Sequence, residues 1–399
     1  MSEWTDDLDA LRRELSKTLG AASRAVRSAL DNDPHEILAY RGYGNAVRAH
    51  INGRVLEHRG VSVSSDADST LRNLLNTYRR ADSDPLPFAS LAVDFRGAVA
   101  TMKSDDEGFF SGWVDTPGSA PSSDEWQTYG VKLVAPLRSE TEKVDGKGEI
   151  LVPKASARFG VISDLDDTVI QSRVSNFLQA ARTVMLGNAR TRLPFPGVAG
   201  FYQALRRGAG GDEKNPIFYV SSSPWNIYDV IAEFMELQKI PSGPILLRDW
   251  DVAPGALSPT RHFDHKSYSI RSIMQLYPEL PFILVGDTSQ HDPEIYQQVV
   301  REFPGRIKAI YIRDVTLGTE RSAAVTKLAA EIVADKSVLV LAEDTLGAAK
   351  HALEQGWIAA EELPQVQEEK RADEGRDDSK VAAPGGGEIG AGEPAAVIE

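Results

Sequence analysis

No cysteine occurs anywhere in the 399 residues. That absence excludes disulfides, thiolate metal sites and cysteine nucleophiles, and it fits a reducing compartment. Long apolar runs are missing as well. Nothing approaches the roughly 20 residues that a membrane-spanning helix needs, and the opening Met1-Ser2-Glu3-Trp4-Thr5-Asp6-Asp7 is acidic, unlike a secretory leader. A cytoplasmic protein is the expectation. Basic residues are in deficit, 44 Lys and Arg against 58 Asp and Glu for a net charge of -14. That balance argues against a surface built to cover nucleic-acid phosphates. With thiolates gone, oxygen ligands are what remain for a metal.

What is present is a chain with 42% hydrophobic residues, long enough for two domains with their own cores. Trp4, Leu8, Leu11, Leu15, Leu19, Ala22, Val26 and Leu30 recur at steps of three and four, which predicts an amphipathic helix within 1–32. Its opposite face mixes both charge signs, so packing on its own protein or dimerisation is expected ahead of membrane binding. Over 33–155 the pattern shifts to short alternating segments. Residues 46–51 and 54–58 flank Asn52-Gly53, a hairpin cue, and further strands are predicted at 88–95, 98–103, 109–114, 128–135 and 149–152, with a helical interruption at 70–80. The expected domain is a small antiparallel β-sandwich. Gly42-Tyr43-Gly44 precedes no helix and is not read as a phosphate loop.

Over 156–363 strands alternate with helices, and the apolar runs are too continuous for half-exposed strands. Strands are predicted at 159–164, 216–221, 244–247, 281–286 and 307–312, and helices at 197–208, 224–238, 267–276 and 293–303. A last helix, strand and helix fall near 319–332, 337–342 and 344–355. This is the pattern of an α/β domain, a Rossmann-like parallel sheet covered on both faces. Ser223-Pro224 and Asp292-Pro293 read as a helix cap followed by the first helical position. Val174, Phe177, Leu178, Ala181 and Met185 form an amphipathic insertion, a candidate lid. Residues 361–399 hold eleven acidic and four basic residues, so this segment supplies -7, half of the total charge. Its composition predicts disorder from 364 to 399.

The chemistry concentrates where the predicted strands end. The apolar residues 159–162 deliver Asp164-Leu165-Asp166-Asp167-Thr168, residues 217–220 run into Ser221-Ser222-Ser223, and residues 282–285 run into Gly286-Asp287 and on to Asp292. Groups that close the strands of an open parallel sheet share one crevice. Asp164, the Asp166 carbonyl, Asp287 and Asp292 are the predicted ligands of Mg2+, a hard cation held by oxygen donors. A metal there relieves the repulsion between an anionic nucleophile and a phosphate ester. Asp164 can then attack phosphorus to form an aspartyl phosphate, with Asp166 as acid and then base. Ser221 and Lys266 are the groups expected to bind the transferring phosphoryl oxygens. Thr168 and Ser222 are assigned to the same pocket, Thr168 more as a brace for the loop. Trp225 and Arg248, just after strand ends, are candidate contacts for a substrate head group. His262-Phe263-Asp264-His265 offers a histidine pair, but no third or fourth zinc ligand accompanies it.

The order Asp164-x-Asp166-x-Thr168, Ser221, Lys266, then Gly286-Asp287 with Asp292 resembles the four motifs of the haloacid dehalogenase superfamily, with Asp166 the mark of its phosphatase branch. More closely, Ser221-Ser222-Ser223-Pro224-Trp225-Asn226, Leu246-Leu247-Arg248-Asp249, His265-Lys266 and Gly286-Asp287-Thr288-Ser289-Gln290-His291-Asp292-Pro293-Glu294-Ile295-Tyr296 are similar to the catalytic domain of the actin-patch-associated phosphatidate phosphatase family, in its bacterial form. The resemblance covers about 159–315. It implies Mg2+-dependent removal of phosphate from phosphatidate to give diacylglycerol, with a phospholipid as the substrate, peripheral membrane contact and no nucleic acid. A phosphatase of a soluble metabolite, nucleotide or phosphoprotein is the alternative within enzymes. A catalytically inert scaffold that binds partners through the sandwich and the long helix is the alternative outside them.

Overall fold

The computed structural model describes residues 34–57, 84–118, 124–139, 141–170, 195–248, 259–315, 319–334, 339–342 and 344–381. The predicted helix at 1–32, the helical interruption at 70–80, the candidate lid around 174–185 and the stretch 382–399 lie outside these residues. The chain divides into two compact units, Met1–Val152 and Pro153–Glu399. The fold is α/β, with one mainly antiparallel sheet in the first unit and one parallel sheet in the second.

In the first unit, eight strands are joined in one hydrogen-bonded network: β1 (His35–Ala39), β2 (Gly42–Gly44), β3 (Arg48–Glu57), β4 (Ser90–Phe95), β5 (Ala98–Lys103), β6 (Phe109–Asp115), β7 (Trp126–Ala135) and β8 (Asp145–Leu151). Period-2 alternation places Leu91, Val93 and Phe95 of β4 with Val131 and Leu133 of β7 in a shared core with Ile51, Val55 and Phe110. Each such fully buried side chain contributes about 1.5–3 kcal/mol. The pairing is antiparallel except between β2 and β8.

Asn52-Gly53 is not a hairpin turn, which corrects the sequence expectation. β3 runs straight through it, with Asn52 opposite Ser111 and Gly53 opposite Phe110. A Cβ on Gly53 would lie 2.4 Å from the Leu38 carbonyl oxygen and 2.5 Å from the Phe110 ring, so the glycine serves close strand approach instead of a turn. The hairpin lies just before it, where the Asn45 side chain accepts from the amides of Val47 and Arg48 at 2.9 and 3.1 Å and turns β2 into β3.

The second unit contains β9 (Gly160–Asp164), α1 (Val198–Arg207), β10 (Ile217–Pro224), α2 (Tyr228–Leu237), β11 (Ile245–Arg248), α3 (Pro259–Leu276), β12 (Phe282–Asp287), α4 (Asp292–Glu302), β13 (Ile307–Arg313), α5 (Glu320–Ala334), β14 (Leu339–Ala342), α6 (Thr345–Glu354) and α7 (Glu362–Val381). The strand order is β11-β10-β9-β12-β13-β14 and every neighbouring pair is parallel. β9 and β12 are buried along their whole lengths, because helices cover the sheet where their continuous apolar runs would otherwise meet water. From β9 the chain builds outward through β10 to β11, then crosses back to place β12 on the other side of β9. The reversal opens a crevice at the carboxyl ends of β9 and β12.

The expectation of disorder from residue 364 is corrected over 364–381, which continue α7. Arg207 clamps Glu362 with two hydrogen bonds, of 2.7 and 2.5 Å, Lys370 donates to Asp344 at 2.6 Å, and Val366 is fully buried. The Gly197 amide donates to Asp373 at 2.9 Å. A Cβ on Gly197 would sit 3.0 Å from Lys370 and 3.1 Å from the Val366 carbonyl. Composition alone weighs apolar content, whereas this helix docks through a few apolar residues, paired charges and a glycine that admits it closely.

Candidate active site

The crevice collects side chains from four places in the chain. β9 ends at Asp164, buried to 1% exposure, and the following turn is tight: Val169 and Ile170 donate to the Leu165 carbonyl, Asp167 donates to Ile170, and Asp167 adopts a left-handed φ of 58°. This loop closes on itself, which brings Asp166 and Thr168 back over the strand end. β12 contributes Asp287, and the loop after it leads to Asp292 at the first position of α4. Lys266 comes from α3, deep in the protein.

Asp164, Asp287 and Asp292 each offer a carboxylate oxygen within 4.8 Å of one another, and all three are buried. Lys266 Nζ lies 2.6 Å from Asp164 Oδ1 and 2.7 Å from Asp292 Oδ1, and donates to Gln290 Oε1 at 3.0 Å. Asp292 Oδ2 accepts from the Asp287 amide at 3.4 Å. Asp287 Oδ1 accepts from the Ser289 amide at 2.5 Å, and Oδ2 from Thr168 Oγ1 at 3.3 Å. Asp164 Oδ2 is buried and, among the described residues, has no hydrogen-bond partner.

The electrostatics follow from three carboxylates facing one ammonium. Burial pushes Asp164 well above the ordinary carboxylate range; Lys266 opposes the shift, while Asp292, Asp287 and Asp166 add to it. Burial and then Asp292 raise Asp287 to about 6, against the Ser289 hydrogen bonds. Burial pulls Lys266 down, but Asp164 and Asp292 override it and the ammonium is held above its usual range. With all three carboxylates ionised, the cluster has two positive charges too few. An all-oxygen donor set, an orphaned buried carboxylate oxygen and excess negative charge are what a hard divalent cation such as Mg2+ would satisfy.

Asp166 stands apart from that triad. Its carboxylate accepts from Ser221 Oγ at 2.7 Å and from Ser223 Oγ at 3.2 Å, while Ser221 Oγ also accepts from the Ser223 amide at 2.9 Å. Sequence reasoning gave Ser223 to helix capping, and the structure does not. β10 extends to Pro224, a single 3-10 turn follows over Trp225–Ile227, and α2 starts at Tyr228 without a side-chain cap. Asp292 likewise is the first helical residue and not a cap; His291 precedes it, and Asp292 uses its oxygens on Lys266 and Asp287.

Thr168 is fully buried and bound to Asp287, the position of a brace. Ser222 Oγ is buried with no hydrogen-bond partner among the described residues. Trp225 stacks on Tyr228 with ring centroids 5.8 Å apart. Arg248 closes β11 and pairs in register with Pro224. Of the histidine pair only His265 has a described side chain, and it is not part of the carboxylate cluster.

Two contributors escaped the sequence reading. Gln290 shares the Lys266 ammonium. Arg321 of α5 donates to the carbonyls of Thr288 at 3.0 Å and Gln290 at 2.6 Å, and pairs with Glu294, so it clamps the loop between Asp287 and Asp292. Gln290 lies within the motif from Gly286 to Tyr296, whereas nothing in the local sequence marks Arg321.

Residues 159–314 match the family described as phosphatidate phosphatase APP1, catalytic domain. Over this segment the chain is similar to that catalytic domain. The phosphatidate phosphatase APP1 of Saccharomyces cerevisiae is 32% identical over 155 residues, 39% of this chain and 25% of that protein. An uncharacterized protein of Schizosaccharomyces pombe is 26% identical over 187 residues, 46% of this chain and 28% of that protein. The chain thus spans about a quarter of the length of these relatives. The family segment runs from the residue before β9 to the residue after β13, and holds every carboxylate of the cluster together with Lys266, Ser221 and Ser223. A carbohydrate acetylesterase from Xanthomonas citri aligns with 72% of this chain and 70% of its own at 12% identity, with a TM-score of 0.22, too shallow an overlap to bear on fold or activity.

Proposed function

We propose that this protein is a Mg2+-dependent phosphomonoesterase of the haloacid dehalogenase type that hydrolyses phosphatidate to diacylglycerol through an aspartyl phosphate on Asp164. The observation that carries this reading is the convergence of Asp164, Asp287 and Asp292 on Lys266 at the carboxyl ends of β9 and β12, with one buried Asp164 oxygen left without a hydrogen bond. The strand order supports the Rossmann-like expectation, and the family of residues 159–314 supports the choice of substrate.

Asp164, Asp287 and Asp292, with the Asp166 carbonyl, would hold Mg2+, which when bound supplies the positive charge that offsets repulsion between the carboxylates and an anionic ester. Lys266 keeps Asp164 in one orientation and presents its ammonium to the phosphoryl oxygens, where charge spreads in the transition state. An Asp164 oxygen forms a bond to phosphorus as the bond to the lipid oxygen breaks. Asp166, oriented by Ser221 and Ser223, gives its proton to the leaving alkoxide. It then takes a proton from the water that splits the aspartyl phosphate, releasing inorganic phosphate and restoring Asp164. Thr168 and Arg321 hold the Asp287 side chain and its loop in place.

The test is phosphate release from short-chain phosphatidate and from a panel of soluble phosphomonoesters, with Mg2+ or EDTA, for the wild type and Asp164→Asn. The proposal expects release that needs both Mg2+ and Asp164, with phosphatidate preferred. Preference for a soluble ester would replace the substrate and keep the mechanism. No release from any ester by folded, Mg2+-supplied protein would overturn both.

A further inference from the structure

The first unit carries an apolar tip that its own core does not use. Phe88 is 69% exposed, Val134 51% and Leu137 41%. β4 and β7 are antiparallel with Ser90 opposite Ala135, so the segment before Ser90, carrying Phe88, and the segment after Ala135, carrying Leu137, leave the sheet at the same end. Pro87, Ala135 and Pro136 beside them are exposed as well. Scattered surface apolar residues need no explanation, but a cluster on two adjacent strand ends does.

Phe88 is also held there rigidly, in a conformation that a bulky residue disfavours. Its φ is 55°, in the left-handed region where Asn, Asp and Gly are at home. The turn is pinned on both sides: the Ala89 amide donates to the buried Ser104 hydroxyl at 2.8 Å, that hydroxyl donates to the Leu86 carbonyl at 2.9 Å, and the Phe88 amide donates to the Asp105 carbonyl at 3.1 Å. Leu86 and Ala89 are buried on either side. Backbone strain at Phe88 is therefore spent on presenting a ring to the outside, with no burial within its own unit to offset it.

The charge around the tip says what it meets. Lys103, opposite Ser90 in β5, is exposed. Lys143 is exposed beside Val134, because β7 and β8 pair Lys132 with Asp145 and the Leu133 amide donates to the Val144 carbonyl. Two lysines thus bracket the apolar residues, with exposed Asp106 on the neighbouring turn, and Glu142 and exposed Asp145 on either side of Lys143, as the opposing charges. Apolar side chains at a tip flanked by cations match the boundary between acyl chains and anionic head groups, where rings and aliphatic groups enter and ammonium groups stay outside.

We infer that the Phe88–Leu137 tip of the β-rich unit docks the protein on an anionic phospholipid surface. The choice of a lipid partner rests on the phosphatidate reading above, but the binding itself does not require turnover.

The experiment is co-sedimentation of the full chain with phosphatidylcholine vesicles with and without phosphatidate. Wild type is expected to pellet with the phosphatidate-containing vesicles, less so as salt rises. Phe88→Asn together with Leu137→Ser should weaken that partition about tenfold. Asn tolerates the positive φ, so this variant should melt no lower than wild type, and its turnover of a water-soluble ester should be unchanged. Lys103→Glu with Lys143→Glu should abolish the preference for phosphatidate vesicles. Wild type absent from the anionic pellet would overturn the inference and point to a protein partner for the tip. A Phe88/Leu137 variant that pellets like wild type would overturn it equally. Vesicle binding by a protein that releases phosphate from no ester would sustain the inference while the phosphatase reading failed.

Discussion

Lys266 holds its ammonium 2.6 Å from the Asp164 carboxylate, with both side chains almost wholly excluded from water. The pair is part of a larger imbalance, since Asp292 claims the same ammonium at 2.7 Å and Asp287 stands close by. A buried cation that neutralises one of several carboxylates is structural and chemical at once.

Replacing Lys266 by Met is therefore expected to cost about 3–5 kcal/mol of stability in EDTA, because two buried carboxylates lose their common partner. Asp164→Asn should behave oppositely. It removes a charge that its surroundings disfavour, so its melting temperature in EDTA should equal or exceed that of wild type, while phosphate release falls by at least about a thousandfold as expected for loss of a nucleophile. Thermal unfolding in EDTA, read beside the release assay, separates the two roles.

Mg2+ should stabilise the protein more at pH 7.5 than at pH 5. The folded-state pKa of Asp287 is raised to about 6, first by burial and then by Asp292, above an unfolded value of about 3.9. The folded state binds the extra proton between those values, so without metal this group's contribution to stability falls as pH rises from about 4 through 6. At about 1.4 kcal/mol per unit the loss is on the order of 3 kcal/mol. A cation that binds only ionised carboxylates recovers it above pH 6 and competes with protons below. Melting curves with Mg2+ and with EDTA across pH 5–8 give the difference directly, and a metal shift that is flat with pH would contradict the assignment.

Ser221→Ala is expected to lower kcat by about ten- to a hundredfold, less than the loss of the positioned acid-base group itself, and to move the pH profile. Ser223→Ala should do less, because its hydroxyl is 3.2 Å from Asp166 against 2.7 Å for Ser221. If the two serines instead only shaped the strand end, both variants would change melting temperature and leave the pH profile where it was.

Gly53→Ala should destabilise the first unit by about 2–3 kcal/mol, since the added methyl meets the Leu38 carbonyl oxygen at 2.4 Å with no flexible side chain to give way. If Asn52-Gly53 were a turn, alanine would cost about 1–2 kcal/mol through its positive φ alone, with no steric clash in the sheet. Denaturant unfolding of the variant distinguishes these readings.

Local sequence carried much of this architecture. Continuous apolar runs at 159–164, 216–221 and 281–286 can be buried on both faces only in a covered parallel sheet, and polar residues at their carboxyl ends must then share a crevice, so Asp164, Ser221 and Asp287 were legible as neighbours. Lys266 and Asp292 were legible through motif order and not through any local signal. Tertiary structure alone decided the rest. It turned Asn52-Gly53 from a turn into a close strand crossing, gave Ser223 to Asp166 instead of to a helix end, docked α7 through Gly197 and paired charges, and brought Arg321 onto the Asp287 loop. The physical reason is range. Periodicity and capping preferences report energies between residues a few positions apart, whereas a glycine's missing Cβ, a hydroxyl's choice of acceptor and a guanidinium's reach are settled by what the folded chain places beside them.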